Sequence, residues 1–191
     1  MTESLRKKAE RGALWGLTDA AGNRAVQFVV GVILARELQP EQFGLVGMLA
    51  IFMAVAQAFL DSGFGLALVQ KKDVTEADAS SIFYFNVAIG LVLTGLLWLA
   101  APWIAAFYKE PDLSYLTQGL SLTLAINSLA AVQTGMLTRQ VAFKLQAQTS
   151  LISSLCSGFV GVCLAYRGYG VWSLIAQQIS RAGISTALLW L

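Results

Sequence analysis

Asp19, Asn23, Arg24 and Gln27 interrupt the first apolar stretch of this sequence. On a helix turning ~100° per residue they share an arc of about 140° with Gly12, Gly16 and Gly31. Leu14, Phe28, Val29 and Val32 cover the opposite side. An arginine at mid-membrane costs roughly 2.5–3.5 kcal/mol on insertion scales, so Arg24 has to face a cavity or a partner. A planar guanidinium fork suits phosphate oxygens. A hydrated cavity lined by this stripe would let Arg24, with Asn23 and Gln27, hold an anionic group. The plainer alternative is that Asp19 and Arg24 neutralise charges on neighbouring helices and merely hold a bundle together.

Two further places carry chemistry inside apolar runs. Arg181 follows Gln177 and Gln178. If its span is centred on it, two arginines stand at similar depth and can share one diphosphate; if the helix ends nearby, Arg181 instead snorkels to the headgroups. Asp61 opens Asp61-Ser62-Gly63-Phe64-Gly65, where the carboxylate either carries a coupling proton or sodium ion, as Asp19 also could, or caps a broken helix. Asn86, Asn127 and Gln133 read as interhelical hydrogen-bond partners.

What is missing excludes whole classes. There is no histidine among 191 residues, which removes the commonest general base and transition-metal ligand. The lysines of the folded region, Lys71, Lys72, Lys109 and Lys144, fall in connectors, and the connector around Lys71–Asp78 is too short for a nucleotide-sugar domain. No positioned acid–base constellation remains, so an enzyme is not expected. Cys156 and Cys163 are about 10 Å apart on one helix and cannot pair. A net charge of +2 provides no basic face for nucleic acid.

These residues must be positioned by membrane helices. The chain is 57% hydrophobic and 13% charged, with a mean hydropathy of +0.65, whereas soluble domains carry about 25% charge. The expected fold is an all-α integral membrane bundle. Its spans are Gly12–Leu34, Phe43–Val69, Ala79–Phe107, Leu113–Leu137, Leu145–Tyr166 and Val171–Leu191, each near the ~20 residues that a crossing needs. Residues 1–11 form an amino-terminal segment and 12–191 the six-helix lobe. Thr75-Glu76-Ala77-Asp78 predicts a capping box at the start of the third span.

Basic residues concentrate in the amino-terminal segment (Arg6, Lys7, Lys8, Arg11) and in the second and fourth connectors (Lys71, Lys72, Arg139, Lys144). Arg36, Lys109 and Arg167 are spread over the other three. The asymmetry puts the amino terminus in the cytoplasm. Trp103, Phe107, Tyr108, Tyr115, Tyr166, Tyr169 and Trp172 gather near the opposite surface, as headgroup-level rings do. The last span reaches Leu191 with no charged residue after it, so the chain is expected to be the amino-terminal piece of something longer.

The connectors carry a resemblance. Leu34-Ala35-Arg36-Glu37-Leu38-Gln39-Pro40-Glu41-Gln42-Phe43-Gly44, the Asp61–Gly65 segment running into Ala67-Leu68-Val69-Gln70-Lys71-Lys72-Asp73, and Ala101-Pro102-Trp103-Ile104-Ala105-Ala106-Phe107-Tyr108 come first. Leu137-Thr138-Arg139 with Phe143-Lys144, then Gly168-Tyr169-Gly170-Val171-Trp172-Ser173-Leu174, continue in order. Together they resemble the polysaccharide exporters of the multidrug/oligosaccharidyl-lipid/polysaccharide flippase superfamily, in the branch of lipopolysaccharide-biosynthesis, colanic-acid and teichuronic-acid exporters.

The resemblance implies two six-helix lobes around a cavity that opens alternately to the two sides of the bacterial cytoplasmic membrane. It implies an oligosaccharide on a polyprenyl diphosphate as substrate, no cofactor beyond a coupling proton or sodium ion, membrane lipids as surroundings, and a carboxy-terminal lobe as partner. Arg24, Asn23, Gln27 and Arg181 would then bind the diphosphate, with Asp19 and Asp61 as ion-coupling candidates. The alternatives are an ion-coupled drug or small-molecule exporter of the same superfamily, or a structural membrane subunit that transports nothing.

Overall fold

The computed structural model describes residues 21–62, 76–139 and 143–191. Their regular structure is entirely α-helical. Helix α1 occupies 21–37, followed by α2 (Pro40–Ser62), α3 (Glu76–Tyr108), α4 (Asp112–Arg139), α5 (Phe143–Tyr166) and α6 (Val171–Trp190). Each expected span coincides with one of these helices. The parts of the first and second spans at 12–20 and 63–69 lie outside the described residues, as do Thr75 and the glycines after Asp61.

Local chemistry sets the ends. Pro40 is the first residue of α2, with Glu41 in its first turn; a proline there sacrifices only an amide that has no intrahelical partner. Asp112 opens α4 beside Pro111, and its negative charge is favourable at a helix amino terminus. Pro102 sits inside α3, although a helix-interior proline removes one backbone bond. Among the described helices, Pro40–Asp61, Ser80–Tyr108, Asp112–Thr138 and Lys144–Tyr166 are long and apolar enough to cross a membrane.

Helix α4 is the hub, packing against α2, α3, α5 and α6, while α5 and α6 also form a close pair. Leu49, Ile104, Leu113, Leu116, Leu120 and Ile175 make one buried cluster across α2, α3, α4 and α6. Leu34, Leu38, Ala165 and Leu174 make a second that ties α1 to α5 and α6. Both clusters lie toward the end that carries the short connectors at 38–39, 109–111 and 167–170. Leu91, Leu96, Leu99, Trp103 and Phe107 of α3 are left exposed, which suits lipid tails as solvent.

Most hydroxyls inside the helices are satisfied locally, as a medium without water favours. Thr117 donates to Leu113 O at 2.6 Å and Ser153 to Thr149 O at 2.6 Å, and Thr94 bonds both its own helix at Gly90 O and α4 at Ser121 O. Trp98 Nε1 and Trp190 Nε1 likewise donate to α4 carbonyls, of Gln118 and Leu129.

Helix contact depends on small residues, as expected where lipid offers no hydrophobic drive between helices. A Cβ on Gly90 would stand 2.5 Å from Ser128 Cβ, and one on Gly158 would stand 2.6 Å from Val30 Cγ2. Gly90→Val is therefore expected to force α3 off α4 and to destabilise the bundle by about 1–3 kcal/mol. Thermal unfolding of the purified variant in detergent measures this, and an unchanged midpoint would mean that the two helices can part without loss.

Candidate functional site: a polar cavity between α1, α2, α4 and α6

The two buried clusters leave the remainder of the lobe less tightly filled. A cavity of about 700 Å³ lies between α1, α2, α4 and α6. Its apolar wall is Leu34, Phe43, Met53 and Leu174, while Gln27, Gln57, Asn127, Gln177, Gln178 and Arg181 supply its polar wall. A second cavity of about 470 Å³ meets the first at Gln57, Asn127 and Ser185 and continues to Asp61, Asn86, Thr134 and Thr186.

Among the described residues, Arg181 is the only cation lining either cavity. It stands about 15 Å along α6 from Val171 at 1.5 Å per residue, and the helix runs on to Trp190. The arrangement in which the helix ends near Arg181 is thereby corrected: the side chain belongs to the middle of the helix. Its guanidinium reaches α1. Arg181 Nη2 donates to Asn23 Oδ1 at 3.4 Å. With the Gln27 amide oriented so that both groups are satisfied, Gln27 Oε1 accepts from Arg181 Nη1 at 2.5 Å and Nη2 at 3.2 Å. Asn23 in turn donates through Nδ2 to Ser150 Oγ on α5.

Among the described residues the partners of Arg181 are neutral amides, and none of them cancels its charge. Asp19, one turn before Asn23, lies outside the described residues. Arg24 is exposed, as Gln27 is, but unlike Gln27 it is absent from the lining of both cavities, and unlike Asn23 it has no bond to Arg181. The expected four-residue stripe thus divides. Asn23 and Gln27 turn toward Arg181, whereas Arg24 shares the outward face with Phe28. Pairing of Arg24 with Arg181 on one cavity wall is not what the structure shows.

At the other end, Gln57 Nε2 donates to Asp61 Oδ1 at 2.9 Å, and Asn127 Nδ2 donates to Gln57 Oε1 at 3.4 Å. These amides form a ladder from the carboxylate toward the Arg181 cavity. Thr134, Thr138 and Thr186, which line this cavity, donate their hydroxyl protons to the carbonyls of Ala130, Thr134 and Ile126, which leaves their oxygens lone pairs with which to accept. Asn86 is 1% exposed and its Nδ2 has no partner among the described residues. A buried donor in that condition costs about 1–3 kcal/mol, which favours an oxygen-bearing occupant. Asn127 is an interhelical partner as expected; Asn86, and Gln133 with its unpaired Oε1, are not fully so.

Sequence reasoning passed over Gln57, Thr134, Ser185 and Thr186. The available signal was their common register: Gln57 lies one turn before Asp61, and Thr134 lies seven residues after Asn127. Cys156 and Cys163 are both free, and among the described residues no cluster of histidine, cysteine and carboxylate suited to a metal is present.

A helical bundle with a cation held at the wall of a polar cavity is an arrangement suited to binding an anion. Comparison with known proteins agrees with the motifs in the connectors. The polysaccharide biosynthesis protein family matches residues 33–191. The chain belongs to this family.

Among curated relatives, the succinoglycan biosynthesis transport protein ExoT of Rhizobium meliloti is 30% identical over 93% of this chain and 36% of its own length. The teichuronic acid biosynthesis protein TuaB of Bacillus subtilis is 30% identical over 84% of the chain and 34% of its own. The lipopolysaccharide biosynthesis protein WzxC of Escherichia coli is 28% identical over 64% and 25%. The chain therefore spans about a quarter to a third of these relatives' length. Membership and the apolar helices together make it a multi-pass membrane protein. No solved structure matches it.

Proposed function

We propose that this chain is one lobe of a transporter that moves an oligosaccharide on a polyprenyl diphosphate from the cytoplasmic to the outer leaflet of the bacterial inner membrane. The observation that carries the reading is Arg181, held at mid-helix by the amides of Asn23 and Gln27 on the wall of a cavity of about 700 Å³. A half-buried guanidinium whose described partners are neutral amides attracts a diphosphate more strongly than the same group in bulk solvent. Arg24, on the exposed side of α1, would meet the substrate from outside this cavity, where α1 would face the second lobe.

In this reading the diphosphate docks at Arg181, the sugars occupy the hydrated cavity, and the polyprenyl tail stays in lipid. Transport is alternating access by rocking of packed bundles, with no bond made or broken and no catalytic residue required. The bias of basic residues toward the amino-terminal segment, the connector holding Lys71 and Lys72, and the ends of the connector between Arg139 and Lys144 supports a cytoplasmic amino terminus. Asp61 would couple the cycle to a proton or sodium ion: neutralising its carboxylate weakens the bond from Gln57, and the amide ladder passes that change to Asn127 at the substrate cavity. Asp19 is the second coupling candidate.

Binding to the purified intact transporter tests the substrate class. A polyprenyl diphosphate oligosaccharide is expected to bind, and inorganic diphosphate to compete with it, while a lipophilic cation such as tetraphenylphosphonium does neither. Tight binding of the cation in preference to the diphosphate would replace this reading with that of a drug exporter.

A further inference from the structure

At the end of the lobe opposite Asp61, a hollow of about 310 Å³ is walled by Gln42, Asp112, Tyr115, Tyr169 and Trp172. Gln42 lies near the start of α2 and Asp61 near its end, so the hollow stands about 28 Å along that helix from the carboxylate. Its lining shares no residue with that of the Arg181 cavity.

The connector between α5 and α6 builds one side of the hollow. Gly168 has φ 81° and Gly170 has φ 54°, conformations that glycine adopts without strain. A Cβ on Gly170 would lie 2.7 Å from Gln42 Nε2, so its absence lets the Gln42 amide close against the loop. Tyr169 is carried between the two glycines. Trp172 leans on α4, its ring 3.4 Å from where a Cβ of Gly119 would be, one turn beyond Tyr115. The three rings remain 67% (Tyr115), 57% (Tyr169) and 46% (Trp172) exposed.

Rings that only anchor a helix bundle form a band against the headgroups. Here they surround a concavity that also holds a carboxylate and a primary amide. That combination fits a pyranose, whose C–H face packs on an aromatic ring while its edge hydroxyls pair with carboxylate, amide and phenol oxygens. The flanking connectors hold Lys109 and Arg167 against Glu110 and Asp112, a balance that favours an uncharged sugar.

We infer that this hollow is a saccharide-binding subsite for neutral pyranose units of a glycan, placed where sugars would leave the lobe. The inference rests on the polysaccharide-transport reading for its ligand class, but its test does not depend on transport.

Oxidative footprinting of the purified protein in lipid nanodiscs, read residue by residue by mass spectrometry, is the test. The probes are cellotetraose, mannotetraose and a galactose tetrasaccharide, with mannitol as control. At least one oligosaccharide is expected to slow oxidation of Tyr169 and Trp172 while leaving Trp98 and Trp190 unchanged. Tyr169→Ala and Asp112→Asn should each weaken that protection, shifting its midpoint about tenfold. Protection by none of the three, protection that survives both substitutions, or rings already shielded by lipid without sugar would overturn the subsite. If the footprint fails while export still depends on Arg181, only the subsite is lost. If export is indifferent to Arg181 while the footprint holds, the diphosphate reading fails and the subsite stands.

Discussion

Export by the intact transporter is expected to fall by at least about tenfold when Arg181 is replaced by alanine, with insertion and thermal stability little changed. The magnitude follows from losing charge-assisted hydrogen bonds to phosphate oxygens, each about 1.5–3 kcal/mol. The fold tolerates the loss because, of the partners left behind, Gln27 borders a polar cavity and Asn23 keeps its bond to Ser150. Arg181→Lys should recover only part of the activity, since an ammonium cannot reproduce the fork that spans both amides and a bidentate phosphate. Complementation of a strain lacking its exporter, with membrane abundance measured in parallel, reads both outcomes. Wild-type export with alanine at 181 would remove the diphosphate role. Arg24→Ala provides the comparison: the outward position of Arg24 predicts a smaller loss than at Arg181, whereas a larger one would move the binding site to the other face of α1.

The second large effect is expected at Asp61. Asp61→Asn removes the charge but keeps an oxygen that can accept the bond from Gln57. The ladder through Gln57 to Asn127 therefore survives while the site no longer responds to a proton or sodium ion. Transport driven by the ion gradient should be lost, and exchange of substrate down its own gradient should be retained. Measuring substrate flux in proteoliposomes with imposed proton and sodium gradients separates the two. An unchanged response to both ions would assign Asp61 to closing the end of α2.

Family membership, the number of helices and their approximate ends were legible in the sequence because each depends on local chemistry. A run of about twenty apolar residues is helical in lipid, since only intrahelical bonding satisfies its backbone there. Pro40 and Asp112 mark helix starts through their own conformational and charge preferences. The connector motifs were equally readable, being short and contiguous.

The polar stripe of α1 was legible as a stripe, but which of its members meet Arg181 was not. Asp19, Asn23, Arg24 and Gln27 share one arc, but an arc of about 140° is wide enough for its two edges to face different surroundings. The rotation of α1 is set by contacts such as Val30 against Gly158 and Leu151 against Gly22, which hydropathy does not encode. Those contacts carry Asn23 and Gln27 inward and leave Arg24 at the edge.

By itself, then, the sequence determined a helical membrane bundle of the polysaccharide biosynthesis protein family, with a small set of polar residues that had to be accounted for. Only the tertiary structure decided which of them act together. Asn23 and Arg181 are separated by 158 positions yet share a hydrogen bond, and Gln57, unremarked in sequence, joins Asp61 to Asn127. The physical reason is that apolar composition fixes that a helix lies in the membrane, whereas close packing of small residues fixes how it is turned, and the turn selects the side chains that meet.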